Sequence, residues 1–279
     1  MALEPHVLPA ADLASAWLAA TEWTASTDNK NRGLVITIPA DDTGTVARNA
    51  AFEARLTAII NALNDASSPK KPRMVPFVDN ASTIFPENIW RARSSEGRER
   101  FYQRYLALLP RIKKLSKKNV YGVYFERMIA YAAQREGKPE CFNQLEFVIK
   151  LLNKRKAFRQ SALQISVFHP AFDHTGQAQR GFPCLQQVSF TYSAKRTLHL
   201  NAYYPTQYLF ERGYGNYLGL CHLGRFIAEE TKYRFSGMTC FVGAPCNKLG
   251  DRAVRDHCTA LRTAMDTDPT NAPSGGAGA

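Results

Sequence analysis

Cys184 is the residue around which chemistry can be drawn. It stands in Gly181–Phe190, GFPCLQQVSF, behind a proline and ahead of Leu185, Val188 and Phe190. Those three apolar positions suggest a partly buried strand. Pro183 fixes the backbone, so the thiol would sit at a defined strand entrance. A nucleophile needs that combination of exposure and restraint. The other reading is a cysteine packed as a small hydrophobe.

The other reactive side chains are less ordered. His169, His174 and His199 have no metal-ligand spacing, and the closest cysteines, Cys240 and Cys246, lack nearby partners, so no metal is expected. His199 on a neighbouring strand could activate Cys184, though a packed or surface histidine is the favoured reading. Tyr203, Tyr204, Tyr208, Tyr214 and Tyr217 could stack a flat heterocycle or simply fill a core.

The chain that must position these groups has 279 residues, 45% of them apolar. That is enough for one large domain, though length alone also allows two small ones. No apolar run reaches the roughly 20 residues that span a bilayer, and the N-terminal stretch has no leader pattern. Six scattered cysteines suit a reducing compartment, so a cytoplasmic location is expected. The net charge of +12 favours anionic ligands. Basic runs at Arg111–Lys118 and Lys154–Arg159 flank apolar segments and read as solvated ends. A nucleic-acid surface is not expected.

Periodicity gives a helix around residues 11–20, a strand over Leu34–Pro39 and an amphipathic helix over Val46–Asn64. Residues 74–90, with two prolines, read as an extended, partly buried segment. Helices follow at 92–110, 142–152, 216–230 and 251–265. Strands are expected at 162–168, 197–204 and 237–242. The end from residue 266 is Gly- and Pro-rich and reads as a disordered tail.

Four segments carry a resemblance. NVYG at 119–122, NQLEFVIKLL at 143–152, SVFHP at 166–170 and FPCLQQVSF at 182–190 resemble, in order and near-equal spacing, the core segments of thymidylate synthases. The likeness covers about residues 115–235. It implies an α/β (α+β) fold with a large mixed, mainly antiparallel sheet, one domain over residues 1–265, and a homodimer formed through sheet faces. It implies Cys184 as the nucleophile that adds to a pyrimidine, with Tyr121 near the pocket. Glu87 is the candidate for the family's proton-moving glutamate. Arg155, Arg159 and Arg180 are candidates for phosphate or thiol contacts. Tyr204 and Gln207 stand at the family's phosphate-arginine and folate-aspartate positions, and Asn216 at its base-reading asparagine.

The departures matter as much. Leu185 replaces the histidine after the nucleophile, and Tyr204 and Gln207 carry no charge where the family has an arginine and an aspartate. The ribose-holding motif is replaced by VGAPCNKLG. The sequence therefore points to a divergent enzyme acting on a pyrimidine nucleotide or related heterocycle. One-carbon transfer to C5 and 5,10-methylenetetrahydrofolate are the implied chemistry and cofactor. A catalytically silent nucleotide-binding or scaffold homologue is the alternative.

Overall fold

The computed structural model describes residues 4–26, 32–68, 73–92, 94–115, 122–135, 138–154, 158–174, 176 and 184–267. Of the segments singled out above, Tyr121, Arg155, Arg180 and Pro183 lie outside the described residues, as does the tail from 268.

Among the described residues, six strands make one mixed sheet in the order β1-β2-β8-β7-β6-β5. They are β1 (His6–Val7), β2 (Leu34–Pro39), β5 (Gln164–Ser166), β6 (Gln187–Tyr192), β7 (Thr197–Tyr208) and β8 (Arg234–Cys246). The β1·β2 and β7·β8 pairs are parallel, and the other three are antiparallel. A separate antiparallel pair joins β3 (Tyr131–Arg135) to β4 (Lys138–Phe142).

The helices are α1 (Leu13–Thr24), α2 (Ala50–Asp65), α3 (Phe77–Ile84), α4 (Glu87–Ala92), α5 (Gly97–Leu115), α6 (Tyr124–Ile129), α7 (Gln144–Leu152), α8 (Pro170–Asp173), α9 (Tyr214–Thr231) and α10 (Asp251–Asp266). Local chemistry sets several starts. Asp12 accepts from the amides of Ala14 and Ser15, Asn49 from Phe52, and Asn143 from Glu146. The expected stripe Phe52, Leu56, Ile59 and Ile60 is buried on α2.

Among the described residues, one sheet face carries the packed core. Leu34, Ile36 and Ile38 of β2, Leu198, Leu200, Ala202 and Tyr204 of β7, and Met238, Cys240 and Val242 of β8 are all buried. They alternate with positions that stay accessible, as period-two side chains must. One open row reads Val7, Val35, Phe241, Tyr203 and Gln187 across five strands. The next reads Thr37, Thr239, Asn201, Ser189 and Gln164.

The extended reading of residues 74–90 is corrected: this segment forms α3 and α4. Pro76 caps α3 and Pro86 immediately precedes α4, positions where the missing amide costs no helix bond. The loop after the SVFHP segment likewise contains the short α8.

The α3–α9 contact bears directly on the site. An added Cβ at Gly219 would lie 2.6 Å from the Ala81 carbonyl oxygen, and one at Gly215 would lie 2.7 Å from Asn80 Cβ. Bare backbone at these two positions lets α3 lie hard against α9.

Candidate functional site

Cys184 is half-buried at the entrance to β6 and packs on the edge of the core. Its strand is fixed on both sides. The Gln186 amide donates to Tyr203 O at 3.0 Å, and Gln186 O accepts from Val167 at 2.8 Å and Phe168 at 3.1 Å. Leu185, Val188 and Phe190 are buried, as their spacing required.

Four elements bring polar groups to this thiol. The Tyr124 hydroxyl, on the first turn of α6, faces the backbone amides of Leu185 and Cys184. Tyr204 and Tyr208 come from β7, and Cys246 ends β8; all three lie within electrostatic reach of Cys184. Arg212 also lies within that reach. Burial pushes Cys246 up to about 11, helped by Glu211 and Cys184 and opposed by Lys248, so that thiol is a poor nucleophile at neutral pH.

Arg212 sits in a widened π-helical turn, Leu209–Gly213, that joins β7 to α9. Such turns put backbone groups out of helical register and recur at functional sites. Here several groups of the turn find partners. Leu209 O accepts Trp17 Nε1 at 2.9 Å, and the Phe210 amide donates to Asn247 Oδ1 at 3.0 Å. Glu211 Oε1 accepts the amides of Lys248 at 2.7 Å and Leu249 at 3.1 Å. The Arg212 guanidinium donates to Asn80 Oδ1 on α3, and no carboxylate forms an ion pair with it among the described residues. Loss of hydration lowers its pKa, while Tyr124, Cys184 and Glu211 act in the opposite direction.

Polar atoms without partners cluster on the same side. Tyr204 Oη, Gln207 Nε2, Glu211 Oε2 and Asn247 Nδ2 are buried and have no hydrogen-bond partner among the described residues. Tyr204 and Gln207 are 0% and 1% exposed. Gln207 Oε1 already accepts from Tyr217 at 2.8 Å. Buried polar atoms are ordinarily satisfied, so orphans in one region mark a place that a ligand or solvent completes.

The residues selected from sequence are only partly assembled. Tyr204 belongs to the group around Cys184, and Gln207 reaches its edge, since Cys246 Sγ contacts Gln207 O at 3.5 Å. Asn216 is buried on α9. Arg159 is exposed, before a short turn at Gln160–Ala162. Glu87 binds His222 at 2.7 Å and Arg91 at 3.2 Å, and neither partner belongs to the cysteine's group. Burial alone would raise the Glu87 carboxyl, but His222 and Arg91 outweigh it and hold it at about 2.

Two readings are corrected. His199 does not pair with Cys184: it faces Thr191 across the strands and contacts Ser236 and Thr239. The tyrosines do not form one stacking platform. Tyr203 stacks on Phe241 on the open face, Tyr214 binds Glu53 at 2.6 Å, and Tyr217 is in the core. No three metal-ligating side chains gather among the described residues.

Tyr124 and Arg212 were not selected from sequence. Arg212 did leave a trace, as one of two charges in the otherwise uncharged stretch YLFERGYGNYLGLCHL.

The described residues thus define a mixed α/β protein with a half-buried thiol at a strand entrance, within electrostatic reach of a guanidinium from the turn after β7. No family model matches the sequence, and no curated protein matches it. Among solved structures, thermostable thymidylate synthase A from Bacillus subtilis is similar, with 16% identity over 50% of this chain and 48% of that chain, at a TM-score of 0.35. The aligned part is thus about half of that structure's length, and so slight a likeness fixes neither family nor activity.

Proposed function

We propose that this chain is a divergent thymidylate synthase-like enzyme in which Cys184 adds to an electron-poor ring of a pyrimidine nucleotide or related heterocycle. The observation that carries this reading is the half-buried thiol within electrostatic reach of Arg212, Tyr124 and Tyr204, whose hydroxyl has no hydrogen-bond partner among the described residues. A purely structural cysteine would be expected among apolar groups. In the addition, the sulfur bonds to C6 and the ring electrons move to C5, which becomes the nucleophile. C5 would then add to a one-carbon electrophile of formaldehyde oxidation level, whose oxygen takes a proton to give a hydroxymethyl group. C5 loses its own proton to a base as the C5–C6 double bond re-forms and the thiolate leaves. Methylation would need a hydride donor in addition. This is methylation or hydroxymethylation chemistry, and residues 1–265 would act as one domain.

The residues do not fit a folate held as the resemblance implies. Gln207 offers no carboxylate, is 1% exposed, and already binds Tyr217 through Oε1. No step is therefore routed through methylenetetrahydrofolate. Glu87, ionised at neutral pH, would serve as an anion or acceptor and not as a proton donor.

The homodimer belongs to the same proposal. The two open rows of the sheet carry no charged side chain, in a chain of net charge +12. Two like-charged copies meet at least cost through such a surface. Val7, Tyr203 and Phe241 on it are 64%, 39% and 39% exposed. No helix among the described residues is long and apolar enough to cross a membrane; a cytoplasmic location is proposed from the cysteine usage alone.

The test is mass spectrometry of the intact protein with pyrimidine nucleotides and nucleosides, with and without methylenetetrahydrofolate. An adduct mapped to Cys184 and absent from Cys184→Ala supports the reading. Tight ligand binding without any adduct would favour a silent binding homologue.

A further inference from the structure

We infer that the cleft between α2 and α10 is a binding site for a small organic carboxylate, with Arg55 and His257 taking the charged head and an apolar strip of α2 taking the body. The inference does not depend on the proposed thiol chemistry. The cleft has a volume of about 290 Å³ and is lined by Arg55, Ala58, Ile59, Ala62, Leu63 and His257.

Spacing along α2 makes the strip. Residues 55, 58, 59, 62 and 63 recur three and four apart, so they share one face of the helix. Ile59 also belongs to the buried stripe, whereas Ala58 and Ala62 are exposed. These two alanines leave space beside α10 that longer side chains would fill. The walls are held from outside the cleft. On α10, Val254, Cys258 and Leu261 are buried, Arg255 Nη1 donates to Ala25 O at 2.6 Å, and Arg262 binds Glu22 at 2.6 Å. On α2, Glu53 accepts from the Tyr214 hydroxyl of α9 at 2.6 Å. The cleft is thus formed before a ligand enters, which spares the cost of ordering it.

The polar lining of the cleft is a guanidinium and an imidazole, with no carboxylate. The positions three and four residues from Arg55 on α2 are Ala51, Phe52, Ala58 and Ile59, so no acid neutralises it within the helix. Neither Arg55 nor His257 has a hydrogen bond or an ion pair among the described residues, and the imidazole lies 5.5 Å from the Phe210 ring. A guanidinium meets one carboxylate through two parallel N–H···O bonds. A phosphate dianion would leave a charge in excess of this one cation, and a bare anion would leave the apolar strip unused. The charged groups acting on His257 are Asp256, its neighbour on α10, and Arg55 from α2; Phe210, from the turn after β7, is uncharged. Burial lowers the His257 pKa, Asp256 raises it, and Arg55 lowers it. A bound carboxylate would offset Arg55 and raise it, so affinity should increase as pH falls through the range where His257 titrates.

The experiment is calorimetric titration of the full chain with octanoate, with acetate as the head alone and octanol as the body alone. Octanoate should bind with a Kd below about 1 mM at pH 7, and each control about tenfold more weakly or worse. Arg55→Gln should weaken octanoate about tenfold. Ala62→Phe fills the cleft from an exposed position and should abolish binding while leaving the unfolding midpoint in place. In nuclear magnetic resonance spectra, the His257 ring signal, identified by its loss in His257→Gln, should move on adding octanoate and titrate at higher pH in its presence. Cys184→Ala should bind octanoate as the wild type does, which keeps this result apart from the fate of the thiol chemistry. Absence of binding at several times that concentration would overturn the inference, as would wild-type affinity in both Arg55→Gln and Ala62→Phe, or loss of binding in Cys184→Ala. Acetate or inorganic phosphate binding as tightly as octanoate would reduce the cleft to a surface anion contact and overturn it too.

Discussion

Arg212 donates to the side-chain oxygen of Asn80, so a charge from the β7–α9 junction is tied to a neutral amide on α3. The bond couples stability to the site. Asn80→Ala leaves the guanidinium without its partner and should cost about 1–3 kcal/mol, read as a lower urea midpoint with an unchanged slope. A midpoint equal to wild type would mean that solvent replaces the amide at no cost.

Gly219 tests the helix contact that makes this bond possible. Its α-carbon faces the Ala81 carbonyl with no room for a methyl group. Gly219→Ala should destabilise the chain by about 1–3 kcal/mol through overpacking, despite the better helix propensity of alanine. Thermal unfolding checks the sign: a stabilised variant contradicts the close approach.

A second buried charge has the opposite design. Arg127 is paired with Asp173, and donates to Val167 O at 2.9 Å. Burial alone would raise the Asp173 carboxyl, but the hydrogen bond from Arg127 and the His169 amide lower it overall. Its folded value therefore lies below its unfolded one. The contribution is full above the unfolded range of about 4 and is lost as pH falls through the lower folded value. Asp173→Ala should cost about 3–5 kcal/mol at pH 7, because it removes the carboxylate paired with the buried Arg127, and the deficit should shrink in acid. Urea titrations at pH 7 and pH 3 measure the difference.

Glu87 separates structure from chemistry. Its pairs with His222 and Arg91 are part-exposed, so Glu87→Gln should cost only about 0.2–1 kcal/mol. The pH profile of Cys184 alkylation by iodoacetamide should not change, because Glu87 is held by His222 and Arg91. A shifted profile would place Glu87 within the site after all.

Tyr203 and Phe241 address the assembly. Their rings stack at 5.7 Å in the middle of the open face. If that face joins two copies, Tyr203→Glu with Phe241→Glu puts four carboxylates into one interface and should yield monomers in sedimentation analysis. A wild-type chain that is already monomeric at tens of micromolar would dispose of the proposal.

Sequence alone was enough for the local pattern. Alternation in LVITIP, the stripe Phe52–Leu56–Ile59–Ile60, and the apolar positions after Cys184 each dictate which side chains go inward, because burial selects period two in a strand and 3.6 in a helix. It misread residues 74–90, because proline punctuates helix starts as readily as extended chain. It also could not say which face His199 takes or what lies beside Cys184. A one-residue difference in strand phase moves a side chain across the sheet, and neither Arg212 nor Asn80 is near the thiol in sequence. Only the packing of α3 on α9, with the widened turn that ends β7, ties that cation to Asn80 and sets it within electrostatic reach of the sulfur.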